Sequence, residues 1–166
     1  LGLDYGASFR LIRNLSLNVE EGTLEAELIP TALNADGVLV PPQALDACFH
    51  SLAALYAQKA TSSAASPAEA EGIAAYLPVG FDRLEVFAPC PHPADGRPSG
   101  RSSAEKTRSS FSPDHRDASS ITRLQARLLS RSRRSLRAHF QLLNKEGQVL
   151  VQVTSCRFRA APSLIQ

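Results

Sequence analysis

The feature that most constrains the fold is one long apolar helix, predicted over residues 40–60, VPPQALDACFHSLAALYAQKA. Pro41 and Pro42 suit its start, because the first turn of a helix leaves its N–H groups unpaired and proline has none to lose. The apolar residues that follow at helical spacing are Leu45, Cys48, Phe49, Leu52, Leu55 and Tyr56. A stripe this broad must be covered, so the rest of the chain has to wrap a surface around the helix.

Runs of alternating apolar and polar residues supply that surface. Residues 15–30 hold two such runs around Glu21-Gly22, which predicts a hairpin that Pro30 ends, and residues 31–39 follow as a loop. Four later strands are predicted within residues 75–89, 122–131, 134–144 and 148–160, with Asn144 to Gly147 as the last hairpin loop. This order predicts an α+β protein with a hot-dog fold, a curved antiparallel sheet wrapped around one central helix.

Two segments lack either pattern. Residues 57–75 are small and polar, and residues 91–121 are rich in proline, glycine, arginine and serine, with eight serines from Ser99 to Ser120. We expect mobile loops near 58–73 and 91–121, inside one domain that spans residues 1–166.

The composition fits that single globular domain, with 43% hydrophobic and 20% charged residues in 166. No apolar run reaches the roughly 20 residues that span a bilayer, so we expect a cytoplasmic protein. Three widely spaced cysteines argue against a disulfide framework. No methionine occurs, even at position 1, and we therefore expect a piece of a larger polypeptide.

Charge is unevenly distributed. From Arg97 to Arg137 there are eleven basic residues against three acidic ones, although the net charge of the whole chain is +2. A basic half is compatible with nucleic acid, a membrane surface or a small acidic protein as partner. Nucleic acid is the weakest of these, because aromatic residues make up 6% of the chain and do not alternate with the arginines as base-stacking platforms would.

Asp46 and His50 stand out on the predicted helix. Residues four apart share a helical face with about 5–6 Å between Cβ atoms, so the two side chains can act on one substrate. A carboxylic acid kept neutral by apolar neighbours can donate a proton to a leaving hydroxyl. From these two residues alone, an ordinary pair at the rim of the core is the more frequent arrangement.

Three motifs in order change that balance. LDYGASF at 3–9, LDACFH at 45–50 and YLPVGFDRL at 76–84 resemble the dehydratase domains of modular polyketide synthases and animal-type fatty acid synthases. The closing EGQVLVQVTSCRFRAA is similar to the last strand of that family. The resemblance covers nearly the whole chain, except the serine-rich inserts.

The resemblance implies a double hot dog, of which this chain is the C-terminal half. It implies that Asp46 protonates the leaving β-hydroxyl and that His50 holds the acid or the hydroxyl by hydrogen bonding. The implied substrate-site residues are Tyr5, Gly6 and Phe9 from the first motif and Leu77, Pro78, Val79 and Gly80, which would line an acyl tunnel. One departure is the helix start, Val40-Pro41-Pro42, where the family usually has histidine-proline.

The implied reaction removes water from a β-hydroxyacyl thioester and leaves an α,β-enoyl thioester. The resemblance implies neither a metal nor a nicotinamide cofactor. It implies a substrate carried on the phosphopantetheine arm of an acyl carrier protein. The implied partners are that acyl carrier protein, the N-terminal hot-dog half and other domains of a megasynthase. A homodimer is a further expectation, because an isolated half would expose the surface that normally meets its twin.

The general base of the family is missing. In the resembling domains it is a histidine followed by glycine four residues later and proline five beyond that, on the first hot dog. None of the four histidines fits this motif: His50, His92, His115 and His139. This chain therefore offers the acid alone, and we expect it to be inactive in isolation. His50 is a poor substitute base, because it shares one helical face with Asp46.

Other functions stay open from the sequence. The chain could be a non-catalytic pseudo-dehydratase kept as a structural part of a megasynthase. It could also be a stand-alone single hot dog that binds or hydrolyses acyl thioesters as a dimer. The arginines from 123 to 137 are either the solvated side of strands or a dock for the phosphopantetheine arm or acidic surface of a carrier protein.

Overall fold

The structure is a computed structural model that describes residues 6–34, 38–62, 76–87, 118–132 and 134–161. A short 3-10 helix, Ala7–Phe9, precedes the first strand, and the long helix is α1, Pro42–Ser62. The strands are β1 (Ile12–Asn18), β2 (Thr23–Ala32), β3 (Tyr76–Gly80), β4 (Arg83–Val86), β5 (Ser120–Arg131), β6 (Ser135–Leu143) and β7 (Val149–Ala160). The expected order of hairpin, helix and antiparallel strands is confirmed.

All seven strands belong to one antiparallel sheet in the order β1-β2-β5-β6-β7-β3, with β4 also paired to β7. The chain leaves β2, passes through α1 to β3 and β4 at the far edge, and returns beside β2 as β5. The curved sheet is not closed, and one helix lies against it among the described residues. This is the hot-dog fold that the sequence predicts.

The apolar stripe of α1 is buried against the sheet. The helix contributes Ala44, Ala47, Cys48, Leu52 and Leu55 to the core, with Leu45 and Phe49 packed at its margin. Strands β2, β5, β6 and β7 supply the other side, because their alternate residues point inward and are buried. Burying this stripe against the sheet provides the main hydrophobic stabilisation of the domain.

Three phenylalanine rings connect the helix to the sheet. Phe49 of α1 lies edge-on to Phe158 of β7 and Phe140 of β6, with ring centroids 5.5 and 6.2 Å apart, and the two sheet rings are 6.2 Å from each other. Edge-to-face contacts at these distances stabilise by about 0.5–1.5 kcal/mol each beyond the burial of area. The triangle fixes which face of α1 meets the sheet.

Four predicted boundaries are wrong. The helix runs to Ser62, so residues 58–62 of the expected mobile loop are helical, in agreement with the helix propensity of alanine, glutamine and lysine. Pro30 does not end β2, which continues to Ala32, because the register of β2 shifts between Glu27 and Thr31 and no regular ladder bond is needed there.

The strand predicted over residues 75–89 is two strands, since the chain bends at Phe81 and Asp82 between β3 and β4. The loop predicted over 91–121 overlaps the start of β5 at Ser120. The remaining residues of the two expected loops, 63–73 and 91–117, lie outside the described residues.

The last hairpin agrees with its prediction. Asn144 is buried and accepts a hydrogen bond from the Gln148 N–H through its side-chain oxygen, at 2.8 Å. Gly147 adopts a φ of 83°, a left-handed conformation that glycine takes without strain. The described helices include none long and apolar enough to cross a membrane.

The phenylalanine triangle leads to a first prediction. Phe158 is 2% exposed, so Phe158→Ala should lower the free energy of unfolding by about 3–5 kcal/mol, through lost transfer energy and the cavity left behind. Urea-induced unfolding measures this change. The exposed neighbour Arg159→Ala is the matched control and should change stability by less than about 0.5 kcal/mol. Equal effects of the two substitutions would contradict the role given to the triangle.

Candidate active site

Helix α1 places Asp46 and His50 side by side. The Oδ2 atom of Asp46 lies 3.1 Å from Nδ1 of His50, and the two side chains are 23% and 27% exposed. Both residues therefore sit at the rim of the core, where the apolar stripe of the helix meets its open side. The predicted proximity of the two side chains is confirmed.

The surroundings of Asp46 favour its neutral form. Burial raises the pKa of the Asp46 carboxyl above its ordinary value of 3.8, and the neighbouring His50 partly opposes that rise when its imidazole carries a charge. The Oδ2 atom is buried and accepts no hydrogen bond from the described part of the chain, although it lies 3.1 Å from Nδ1 of His50. A carboxyl in this setting keeps its proton to a higher pH than a solvated carboxyl does.

Phe49 orients this pair. It lies three residues after Asp46 and one before His50, and its ring is held by Phe140 and Phe158. Rotation of α1 about its axis would break those ring contacts. By holding the orientation of α1, the rings of Phe140 and Phe158 keep Asp46 and His50 at the margin of the core.

The expected tunnel residues lie on the edge strand β3. Leu77 and Val79 are 54% and 58% exposed, Pro78 is exposed and Gly80 is partly buried. Pro78 is the register partner of Phe158, which in turn contacts Phe49. The link between β3 and the acid is thus indirect within this chain, and the part of these residues in an acyl tunnel stays a prediction.

Of the first motif, the structure describes residues 6–9. Phe9 is partly buried in the 3-10 helix, whose N–H at Phe9 donates to the carbonyl of Gly6 at 3.0 Å. This short helix packs beside α1. Gly6 is exposed, and a Cβ added there would meet nothing within 4 Å. Tyr5 lies outside the described residues.

A polar cluster that the sequence analysis did not single out joins the ends of β3 and β4 to β6 and β7. Asp82 forms ion pairs with Arg137 at 3.2 Å and with Arg157 at 3.6 Å. The Arg137 guanidinium also donates to the hydroxyl of Ser155, from Nε at 3.0 Å and from Nη2. The alternation of arginine with apolar residues in β7 was the available signal, since it puts Arg157 and Arg159 on the outer face.

Cysteine and metal chemistry find little support at this site. Cys48 is fully buried, and that burial raises the pKa of its thiol, so it behaves as a core residue as expected. Burial likewise raises the pKa of Cys156 to about 11. Within the described ranges no three histidine, cysteine or acidic residues are grouped so that they could hold a metal ion.

Comparison with known families decides the affiliation. The sequence model described as "Polyketide synthase dehydratase N-terminal domain" matches residues 1–122, which is most of the chain. The protein belongs to the polyketide synthase dehydratase family. No curated protein matches the sequence significantly.

Solved dehydratase structures share the fold. The dehydratase domain of a mycocerosic acid synthase-like polyketide synthase matches with a TM-score of 0.60 and 20% identity over 96% of this chain and 44% of that one. The dehydratase domain of PpsC from Mycobacterium tuberculosis, solved in complex with C12:1-CoA, matches with a TM-score of 0.61 and 16% identity over 96% and 47% of the two chains. The dehydratase domain of RzxB from Pseudomonas fluorescens matches with a TM-score of 0.59 and 20% identity over 96% of this chain and 43% of that one.

This chain therefore spans less than half the length of these dehydratase domains. At such identities the likeness concerns the fold. The matching family model carries the words "N-terminal domain", whereas the sequence motifs assign the chain to the C-terminal hot dog. The assignment to one half of the dehydratase is thus a proposal and is argued below.

The raised pKa of Asp46 gives a second prediction. In a carbon-detected NMR titration, the Asp46 carboxyl should titrate above 3.8. His50→Gln should move the midpoint further up, because the cation that favours the ionised carboxylate is then absent. A midpoint that falls or stays unchanged in His50→Gln would contradict the coupling.

The same shift sets the direction of a stability change. Because the folded state holds this proton more tightly than the unfolded chain, ionisation of Asp46 should lower the free energy of unfolding as pH rises from about 4 through the folded-state pKa. Asp46→Asn should remove that loss. Glu27→Gln, at an exposed carboxylate on β2, should leave the pH dependence of the wild type in place.

Proposed function

We propose that this chain is the acid-bearing, C-terminal half of a dehydratase that removes water from a β-hydroxyacyl thioester. The observation that carries the proposal is the partly buried Asp46, with a raised pKa and a buried oxygen 3.1 Å from His50 Nδ1, on the central helix. Removal of a hydroxide-like leaving group needs a proton donor that is still protonated near neutral pH.

In this mechanism, Asp46 gives its proton to the β-hydroxyl as the carbon–oxygen bond breaks, and water leaves. His50 holds the carboxyl or the hydroxyl in place. A base outside this chain removes the α-proton, and the electron pair of that C–H bond forms the α,β double bond. The missing histidine motif assigns that base to the N-terminal hot-dog half, which supports the C-terminal placement of this chain.

The substrate class follows by analogy with the family. We infer an acyl chain on the phosphopantetheine arm of an acyl carrier protein, without a metal or nicotinamide. The structure of the PpsC dehydratase domain holds C12:1-CoA, an acyl thioester of the same chemical kind. Val79 and Leu77, which are exposed here, would contact the acyl chain once the second half is present. We also propose a cytoplasmic location within a megasynthase and, for the isolated half, self-association as a homodimer.

A basic patch supports the carrier protein as partner. Arg134, Arg137, Arg157 and Arg159 lie at one end of β6 and β7, and Asp82 is the acid paired with two of them. Three of these arginines line a cavity of about 300 Å³ together with Val79 of the proposed tunnel strand. Guanidinium groups pair well with phosphates and carboxylates, so the patch suits the acidic surface of a carrier protein.

The pseudo-dehydratase remains the alternative, and it rests on the altered helix start. Pro41 is buried where the resembling domains carry histidine before proline, and it lines a cavity of about 280 Å³ with Pro42 and Ser8. If this start narrows the mouth of the substrate site, the acid would be present without access.

The third prediction tests the proposed acid. In a polypeptide with both halves, Asp46→Asn should lower the rate of dehydration about 10²–10⁴-fold, since a positioned general acid contributes that much. Mass spectrometry of the β-hydroxyacyl thioester follows the loss of one water, and circular dichroism checks the fold. Glu27→Gln is the control and should retain full turnover.

The same assay separates the alternatives. The chain alone should show no loss of water, because it lacks the base. Loss of water by the isolated chain that disappears in His50→Ala would place acid and base on one helix and refute the half-site arrangement. An inactive two-half polypeptide with wild-type Asp46 would favour the pseudo-dehydratase.

The fourth prediction concerns the basic patch. The double variant Arg137→Glu and Arg157→Glu should weaken binding of an acyl carrier protein at least about tenfold, as expected for losing charge-assisted contacts. Added salt should reduce the difference between wild type and variant. Surface plasmon resonance measures both. Arg13→Glu with Arg123→Glu, two exposed arginines elsewhere on the sheet, should bind like wild type. Equal loss of carrier-protein binding in both double variants would show that the net charge of the chain, and not the patch, determines binding.

A further inference from the structure

The outer face of the sheet, opposite α1, carries a polar groove that the proposed dehydratase reaction does not use. Its cavity has a volume of about 660 Å³ and spans β1, β2, β5, β6 and β7. The side chains that point outward into it are polar or charged, and they include Glu25, Gln125, Arg127, His139 and Gln141. The apolar residues of the same stretches, such as Leu24 and Phe140, are buried on the inner face. Asp46 and His50 are not part of this groove.

The strand register arranges the groove in two parallel rows. The first row follows the partners Ser16, Glu25, Gln125, Gln141 and Gln152. Two hydrogen bonds tie this row at its ends, from Gln125 Nε2 to Glu25 Oε1 at 2.8 Å and from Gln141 Nε2 to Gln152 Oε1 at 3.1 Å. Gln125 and Gln141 are directly opposed between these bonds, and no side-chain hydrogen bond joins the two within the described part of the chain.

The second row runs beside the first, two residues away along each strand. Its register partners are Thr23, Arg127 and His139, with Asn18 at one end and Thr154 at the other. The described residues form no ion pair with Arg127 and none with Glu25. The groove thus holds one cation and one anion, and each is without an oppositely charged partner in the described part of the chain.

An independent observation indicates that the groove is built and is not merely a bare sheet surface. Ser155 has a φ of 55°, a left-handed conformation that is strained for a non-glycine residue, and it is 4% exposed on the outer side of β7. It belongs to a bulge, because β7 has two residues, Thr154 and Ser155, facing His139 of β6. Bulges of this kind re-aim side chains, and strained residues cluster at functional sites.

The bulge orients His139. The Ser155 N–H donates a hydrogen bond to His139 Nδ1 at 2.9 Å, so in the neutral imidazole the other nitrogen, Nε2, carries the hydrogen. Arg137 holds the Ser155 hydroxyl and thereby supports the bulge. The groove is left with donors on the Arg127 and His139 side and acceptors on the Glu25 and Gln125 side.

From this arrangement we propose that the outer groove binds a small dipolar ligand of the amino-acid or short-peptide class. Its carboxylate would pair with Arg127 and His139, and its ammonium group would pair with Glu25 and the Oε1 atom of Gln125. The side-chain amides of Gln125 and Gln141 would contact the polar atoms between the two charged ends. No phenylalanine, tyrosine or tryptophan side chain points into the groove from the residues that line it, so it lacks the large rings on which a sugar or nucleobase usually stacks.

The test uses the full 166-residue chain and three probes that differ at one end each: glycylglycine, N-acetylglycylglycine and glycylglycine amide. Amide NMR titrations report both affinity and location. Glycylglycine should bind with a Kd of about 1 mM, as suits a ligand with so few atoms, and should shift the resonances of Gln125, Arg127 and His139. Each blocked probe should bind about tenfold more weakly, because one charge-assisted contact is lost.

Matched variants locate the two charges. Arg127→Gln should weaken glycylglycine binding about tenfold and abolish the advantage over glycylglycine amide, whereas Arg123→Gln, on the same strand and face, should not. Glu25→Gln should abolish the higher affinity of glycylglycine relative to N-acetylglycylglycine. The control Glu27→Gln should retain that difference in affinity. All four positions are exposed or at the surface, and thermal melting confirms that each variant is folded.

Two outcomes would overturn the proposal. One is that glycylglycine shifts no resonance in the groove. The other is a loss of selectivity, seen either as equal binding of the three probes or as equal weakening by Arg123→Gln and Arg127→Gln. Neither outcome would bear on the proposed dehydratase, since Asp46 and His50 lie on the other side of the sheet.

Discussion

The contact between the face of α1 and the inner surface of the sheet is the constraint on which the rest of this structure depends. Cys48, Leu52 and Leu55 are buried there, and the ring of Phe49 is held edge-on by Phe140 and Phe158. An antiparallel sheet with one apolar face needs such a cover, and an apolar helix needs such a surface. The helix and the sheet therefore bury each other's apolar surface.

The chemistry at Asp46 is a consequence of that contact. A carboxyl placed on the stripe itself would be fully buried at a large cost, and one on the opposite side would be an ordinary solvated acid. The phenylalanine triangle fixes α1 so that Asp46 falls between these limits, 23% exposed and next to His50. Partial burial raises the pKa while the position at the rim leaves the group open to a partner or substrate. The same packing that stabilises the fold thus prepares the proposed acid.

The two faces of the sheet divide the roles. The inner face packs on α1, and that helix carries the proposed half of a dehydratase site, for which a base must come from outside this chain. The outer face carries the arginine patch near β3 and the dipolar groove further along β5 and β6. The Ser155 bulge contributes to both outer features, because Arg137 grips its hydroxyl and its N–H orients His139. The conformation of one residue of β7 therefore organises two polar side chains of the neighbouring strand β6.

Local patterns in the sequence determined the order of elements, the central helix, the alternation of the closing strands and the pairing of Asp46 with His50. These features depend on spacing along the chain, and spacing is preserved when the chain folds. The family could also be recognised from LDYGASF, LDACFH and YLPVGFDRL. Recognising a motif requires only the identity and order of its residues, and both are present in the sequence. The helix end at Ser62 and the passage of β2 beyond Pro30 were missed, because neighbouring structure overrides weak local signals.

Tertiary structure decided everything that joins distant segments. The contacts of Phe49 with Phe140 and Phe158, the pairing of Asp82 with Arg137 and Arg157, and the rows of the outer groove link residues that are tens of positions apart. Strand register and the packing of α1 bring them together, and a register shift of one residue would turn the strand side chains among them to the other face of the sheet. The sequence by itself determined which side chains are available for chemistry. The register and the packing of α1 decided which of them meet.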